Sequence, residues 1–318
     1  MQLAQHAAEV AGMALSDLSA FAAQQYGLMT HAQVTKEMSR TRLSRLVKAE
    51  TWQVVQPGVY RRAAKTETEA QELMAVQLWS DHTAVVSHSS AGRLLGLDLE
   101  RTSLEFSISK FKGELAGVTL HRVKTLDRKE DCRDYKGILI TDGARTVIDL
   151  ATRLKEEDAA LLVEQAWRRR IAAPRWIEKK LKAMRPQPRG GKMLLEILAD
   201  CMTRKSPLES ALEVRVWRLL KKNGFTGMVA NQPFSDDYGQ PGRIDIAFVE
   251  QSLAIECDGW ESHGTREAFD NDRKRTQRLL ALGWRVMPIT WQHLTNEPAR
   301  VVQRVREALA YRVTRVAR

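Results

Sequence analysis

The sequence predicts a multidomain α/β (α+β) protein. It has a winged helix-turn-helix over residues 1–62, a small α+β unit with a basic helical bridge over 63–190, and a C-terminal unit over 191–318 built on an αβββαβ core. Three observations carry this reading. At 318 residues with 43% hydrophobic content, the chain is long and apolar enough for two or three packed cores. Residues 18–62 have the rhythm of helix, helix, helix and short β-wing. Beyond the Pro- and Gly-rich stretch 186–191, helical and alternating patterns follow in the order α, β, β, β, α, β, α.

In the first unit, Leu18 to Tyr26 form an amphipathic set that Gly27 ends. Thr30 caps a short helix from His31 to Glu37, and Ser39 caps a third running to about Ala49. In that third helix Leu43, Leu46 and Val47 share one stripe, while Thr41, Ser44, Arg45 and Lys48 gather on the opposite face. A basic, hydroxylated face on the third helix is the pattern of a DNA recognition helix, and Trp52–Val55 with Gly58–Arg61 read as the wing. An ordinary three-helix packing unit with a solvated face gives the same pattern.

The middle unit opens on a helix from Glu67 to Trp79 and a shorter one from Ser87 to Leu97. Strands follow at Leu104–Ser109, Val118–Val123 and Ile138–Thr141, and then a helix from Ala144 to Leu154. His82, His88 and His121 lack ligand spacing and read as satisfied structural histidines. Segment 168–192 holds ten Lys or Arg against the single Glu178, so it carries most of the chain's net charge of +11. Such a run attracts a polyphosphate such as nucleic acid, the reading favoured here over a solvated helix face joining two domains.

The third unit starts at Ser206-Pro207-Leu208-Glu209, which reads as N-cap, N1 and N3 of a capping box. The helix buries Leu212, Val216, Leu219 and Leu220 and stops at Asn223-Gly224. A strand around Met228–Pro233 precedes Arg243–Phe248 and Leu253–Asp258, two apolar runs that carry acids. Burying an acid is costly unless it is paired or coordinates a metal. If Glu250 and Gln251 form a hairpin tip, Asp245 lies directly opposite Glu256, with Cβ atoms about 5 Å apart; a three-residue loop would shift the pairing by one. Two carboxylates that close suit a hard divalent cation, which Mg²⁺ sites bind through one or two carboxylates and waters. Cys257 alternates with the acids and reads as a core cysteine. The unit closes with a helix at Thr265–Leu282, a strand at Trp284–Ile289 and a helix at Pro298–Val313.

Composition excludes several classes. No window approaches a membrane span, and the N-terminus carries Glu9 and Asp17 without a basic leader. Cys132, Cys201 and Cys257 are too few and too scattered for a disulfide framework or zinc site. The expectation is a cytoplasmic protein without a membrane partner.

The last 115 or so residues resemble the nuclease-like domains related to very-short-patch-repair endonucleases, also known as domain of unknown function 559, in the PD-(D/E)xK superfamily. The match rests on Ser206-Pro207-Leu208-Glu209, Gln232, Arg243 with Asp245, Glu256-Cys257-Asp258-Gly259-Trp260 with His263, Asp272 with Arg275, and Leu282-Gly283-Trp284-Arg285-Val286. The first 165 to 190 residues resemble the AbiEi family of antitoxins through Pro57-Gly58-Val59-Tyr60, Ser87-His88-Ser89-Ser90-Ala91 and Arg145-Thr146-Val147-Ile148-Asp149-Leu150.

The first resemblance implies that Asp245 and Glu256 bind Mg²⁺ (or Mn²⁺) and that Glu209 is the helical acid completing the site; the winged helix would place the protein on double-stranded DNA, its expected partner. It places Asp258 where the superfamily has Lys. His263, as in the repair-type relatives, would then act as general acid or orient the attacking water. Asp258 would be a further ligand, the orienter of His263, or simply Asp-Gly turn chemistry. Arg275 would contact phosphate with Asp272 as its pair, unless the two form only an exposed helical ion pair. The second resemblance implies the alternative of an antitoxin or transcriptional autoregulator, partnered by a nucleotidyltransferase toxin, in which the nuclease fold only binds DNA.

Overall fold

The computed structural model describes residues 22, 24–63, 68–110, 113–124, 126–236, 239, 241–258 and 266–310, with the backbone alone over 266–272. Two compact units are formed, Met1–Asp149 and Leu150–Arg318.

In the first unit, strand β1 (Leu28–Thr30) leads into helix α1 (His31–Glu37) and helix α2 (Arg40–Lys48), and a hairpin of β2 (Trp52–Gln56) and β3 (Val59–Arg62) follows. Both expected caps are present. Thr30 accepts from the Gln33 amide while the Gln33 side chain returns to the Thr30 amide, and Ser39 accepts from the Arg42 amide. The sequence reading missed β1, which three residues are too few to signal; it pairs with β3 and gives sheet order β1-β3-β2. Val34, Leu43 and Trp52 pack beneath the two helices.

A five-stranded sheet of order β6-β5-β4-β8-β7 makes up the rest of this unit. It comprises β4 (Val85–Val86), β5 (Leu104–Ile108), β6 (Val118–Arg122), β7 (Cys132–Tyr135) and β8 (Ile138–Thr141). Helices α3 (Glu69–Trp79), α4 (His88–Leu94), α5 (Arg128–Asp131) and α6 (Gly143–Ala151) accompany it. The stretches on either side of residue 62 share one core, in which Leu28 and Val59 lie with Leu73, Val76, Phe106 and Ile140. A buried Arg61–Gln71 hydrogen bond of 2.9 Å joins the same stretches. His88 and His121 both have hydrogen-bond partners. The ring of His88 lies 2.8 Å from Ser87 Oγ, and His121 Nε2 lies 2.9 Å from a Glu105 carboxylate oxygen.

The second unit begins with helices α7 (Glu156–Arg168), α8 (Pro174–Ala183) and α9 (Gly191–Met202). Gly190 caps α9 at φ 88°, and a Cβ there would sit 2.6 Å from the Thr152 carbonyl oxygen, so only glycine fits. Then come α10 (Ala211–Lys222), β9 (Met228–Ser235), β10 (Pro241–Phe248), β11 (Leu253–Asp258), α11 (Arg266–Ala281), β12 (Arg285–Thr290), α12 (Trp291–Asn296) and α13 (Pro298–Ala310). The sheet order is β12-β11-β10-β9, antiparallel except for the β11–β12 pair. This is the expected order with one short helix, α12, added.

The expected cap of α10 is corrected. Ser206 does not begin the helix, because its hydroxyl accepts from Asn231 and the following residues stay irregular. Ser210 is the N-cap and accepts from the Glu213 amide. Leu219, expected in the core, is half-buried; Val214 and Trp217 are buried with Leu212, Val216 and Leu220.

The irregular segment 203–210 is fixed by α7. The Glu164 carboxylate, 3% exposed, accepts from the Leu208 amide at 3.0 Å and pairs with Arg204. Arg204 lies between the rings of Trp167 and Trp217, 5.6 and 5.2 Å from their centroids. Removing one member strands the other charge in low dielectric. Glu164→Ala is therefore expected to cost about 3–5 kcal/mol of stability in chemical denaturation, and a loss under about 1 kcal/mol would show that Arg204 finds water instead.

Candidate metal and phosphate site

The β10–β11 hairpin sets the geometry. Ile246 pairs with Ile255, Ala247 with Ala254 and Phe248 with Leu253, which is the register expected for a tip at Glu250-Gln251. One step beyond, Asp245 and Glu256 occupy neighbouring strands on one face. There Asp245 Oδ2 accepts the Cys257 amide at 2.8 Å. Both acids are nearly closed off from solvent, at 9% and 8% exposure. The β11 strand is covered on both faces over Leu253–Glu256, so these acids are not on an open polar face; Cys257 and Asp258 at its end are half-buried.

Helix α11 supplies a cation. Leu279 packs with Ile244, Ala247 and Ala254, and one turn earlier Arg275 reaches both acids. Its guanidinium lies 3.2 Å from Asp245 Oδ1, pairs with Glu256 Oε2 and donates to the Arg243 carbonyl at 2.7 Å. Neutralisation is incomplete. Burial, and then the charge of Asp245, push the Glu256 carboxyl up to about 8, against the pull of Arg275. Its Oε1 is buried with no hydrogen-bond partner.

The buried helical acid that feels the charge of Asp245 is Glu213, which the sequence reading passed over. It is 5% exposed, its carboxylate accepts from the Glu209 amide at 2.9 Å, and burial followed by the charge of Asp245 raises its pKa. Glu209 instead forms a two-pronged pair with Arg243, both side chains more than 40% exposed. A signal was available: Ser210-Ala211-Leu212-Glu213 repeats the Ser-x-x-Glu spacing of Ser206–Glu209 four residues later. Pro207 at an apparent N1 made the earlier copy the better-looking start.

Asp258 ends β11 beside Thr290 of β12, and its charge also raises the Glu256 carboxyl. His263 lies outside the described residues, as does the side chain of Asp272. Among the described residues no group of three or more His, Cys, Asp or Glu is arranged to hold a metal. The two-carboxylate pair nevertheless fits a hard divalent ion that keeps most of its waters, because Glu256 Oε1 is a buried acceptor that lacks a partner.

In the other unit, Thr41, Ser44, Arg45 and Lys48 are all exposed on α2, opposite buried Leu43. Among the described residues no helix is long and apolar enough to cross a membrane.

Comparison with known proteins agrees with the geometry of the second unit. The restriction-endonuclease model REase_MTES_1575 matches residues 212–309, a span that includes Glu213, Asp245, Glu256, Asp258 and Arg275. The C-terminal domain is restriction-endonuclease-like. Over 258 residues the chain is 26% identical to the uncharacterized protein MT2308 of Mycobacterium tuberculosis strain CDC 1551, covering 78% of this chain and 89% of that one. The uncharacterized protein Rv2248 of strain H37Rv matches with the same figures. The crystal structure of the RV2827C protein from Mycobacterium tuberculosis superposes at a TM-score of 0.44 with 13% identity, covering 58% of this chain and 75% of that one.

Proposed function

We propose that this protein binds DNA and that its C-terminal domain hydrolyses a phosphodiester bond with a divalent metal, Mg²⁺ or Mn²⁺. The observation that carries the reading is the buried Asp245–Glu256 pair, with its partnerless Glu256 oxygen, inside a restriction-endonuclease-like domain. Asp245 and Glu256 would hold the ion. When bound, it supplies a water of lowered pKa and neutralises charge on the phosphate.

The chain's own groups support this chemistry. Arg275 offsets part of the acids' charge and holds their orientation. Glu213 adds negative potential and fixes the loop before α10 through the Glu209 amide. His263, on the strength of the family resemblance, is assigned to protonate the leaving group or orient the attacking water. Cleavage assays on plasmid and single-stranded DNA with Mg²⁺ or Mn²⁺ test the reading, with Asp245→Ala and Glu256→Ala as controls.

A second reading is favoured by one observation. Asp258 stands where the family resemblance expects a catalytic Lys, and Arg275 already pairs with both acids. The protein would then be an AbiEi-type antitoxin or autoregulator, with a nucleotidyltransferase toxin as partner and a nuclease fold that only binds DNA. Both readings place it in the cytoplasm.

Both also use the first unit as a winged helix that lays α2 on duplex DNA. Arg45→Ala or Lys48→Ala is expected to weaken duplex binding and lower the slope of log K against log salt by about 1 each. An unchanged slope would leave α2 as a solvated packing helix.

A further inference from the structure

We infer that Trp176 on α8 is a stacking platform for an unpaired base, and that the basic residues around it hold the flanking phosphates of a single-stranded nucleic acid segment. Helix α8 turns Pro174, Ile177 and Leu181 into the core. On the opposite side Trp176 is 64% exposed, more than any other large hydrophobic side chain among the described residues. Burying an indole is worth more than burying most other side chains, so a helix that leaves one in water forgoes that stabilisation. Arg175, Lys179 and Lys182 are exposed around it, with Lys179 one turn on along the same face. The Lys179 ammonium lies 5.3 Å from the ring centroid, and much of the indole remains open.

Charge selects the occupant. Residues 168–192 carry +9, and their one acid, Glu178, is tied to Lys182 at 2.7 Å. An anionic membrane surface would need an apolar face to bury, but here Ile177 and Leu181 are already in the core, leaving a lone aromatic. A π-face bordered by point charges suits nucleic acid whose bases are free to splay out, because stacking accepts any base while the cations track the backbone. In a duplex the bases are stacked on each other and the same ring finds nothing to cover.

The test measures binding of a labelled 20-nucleotide DNA strand, and of the duplex of the same sequence, by fluorescence anisotropy in EDTA. Trp176→Ala is expected to weaken binding of the single strand by at least about fivefold and of the duplex by less than about twofold. Trp176→Phe keeps most of the affinity. The double variant Arg175→Gln, Lys179→Gln lowers the salt slope by about 1.4 on the single strand, whereas Trp176→Ala leaves it unchanged. Equal losses on strand and duplex, wild-type affinity in Trp176→Ala, or Phe as weak as Ala would overturn the inference. So would a change of oligomeric state in Trp176→Ala with strand affinity intact, which would mark a protein contact instead. Because EDTA removes any metal, failure here leaves the cleavage reading standing, and failure of cleavage leaves this site standing.

Discussion

Replacing Asp245 by Asn is expected to lower Mg²⁺-dependent cleavage by about 10²–10³-fold with DNA affinity held within a few fold. The substitution keeps the volume and one acceptor oxygen, so the Cys257 amide keeps a partner and the hairpin register is retained. It removes one of the two charges offered to the ion, and charge stabilisation at a reacting centre is commonly worth that factor. Arg275 would then face a single carboxylate and be less free to release it. The measurement is the initial rate of plasmid nicking across a Mg²⁺ titration. If wild type, Asp245→Asn and Glu256→Ala all show the same trace of cutting, the nuclease reading fails and the DNA-binding reading stands.

Glu256→Gln is expected to make the metal-free protein more stable at alkaline pH, by an amount on the order of 5 kcal/mol at pH 9. The folded carboxyl titrates at about 8, well above an unfolded Glu near 4.5. Between those values the folded state holds a proton that the unfolded chain has released, so the contribution is fully present below about pH 4.5 and is lost as pH rises through 8. Gln cannot ionise, and its melting temperature should stay flatter over that window. Added Mg²⁺ at pH 8 should raise the melting temperature of wild type, since ligand binds only the folded form, and leave the Gln variant unmoved. Parallel pH profiles for the two proteins would show that Glu256 is solvated, contrary to its 8% exposure.

Much of the second unit could be read from the chain because its signals are local. Alternation in 243–258 gives both strands, and symmetry about Glu250-Gln251 gives the register. Two features are decided by contacts distant in sequence. Ser206 and Ser210 both open a Ser-x-x-Glu spacing, and the choice is made by Asn231 and Glu164, which hold 206–208 out of the helix. That shift moved the helical acid from Glu209 to Glu213. The role of Arg275 was hidden for a related reason: its contact with both acids depends on where Leu279 packs on the sheet, and helical spacing alone cannot supply that. In the first unit, β1 and the two-residue β4 are too short for any periodicity, so sheet pairing rather than local pattern defines them.

Arg275 also bears on how this domain can change over evolutionary time. Zinc fingers and similar modules collapse when their ion is withdrawn, which ties their architecture to one chemistry. Here the acids carry an internal counterion from α11. On the nuclease reading, a lineage that stopped cutting DNA would lose the ion without losing the sheet, and a regulator could then inherit the fold.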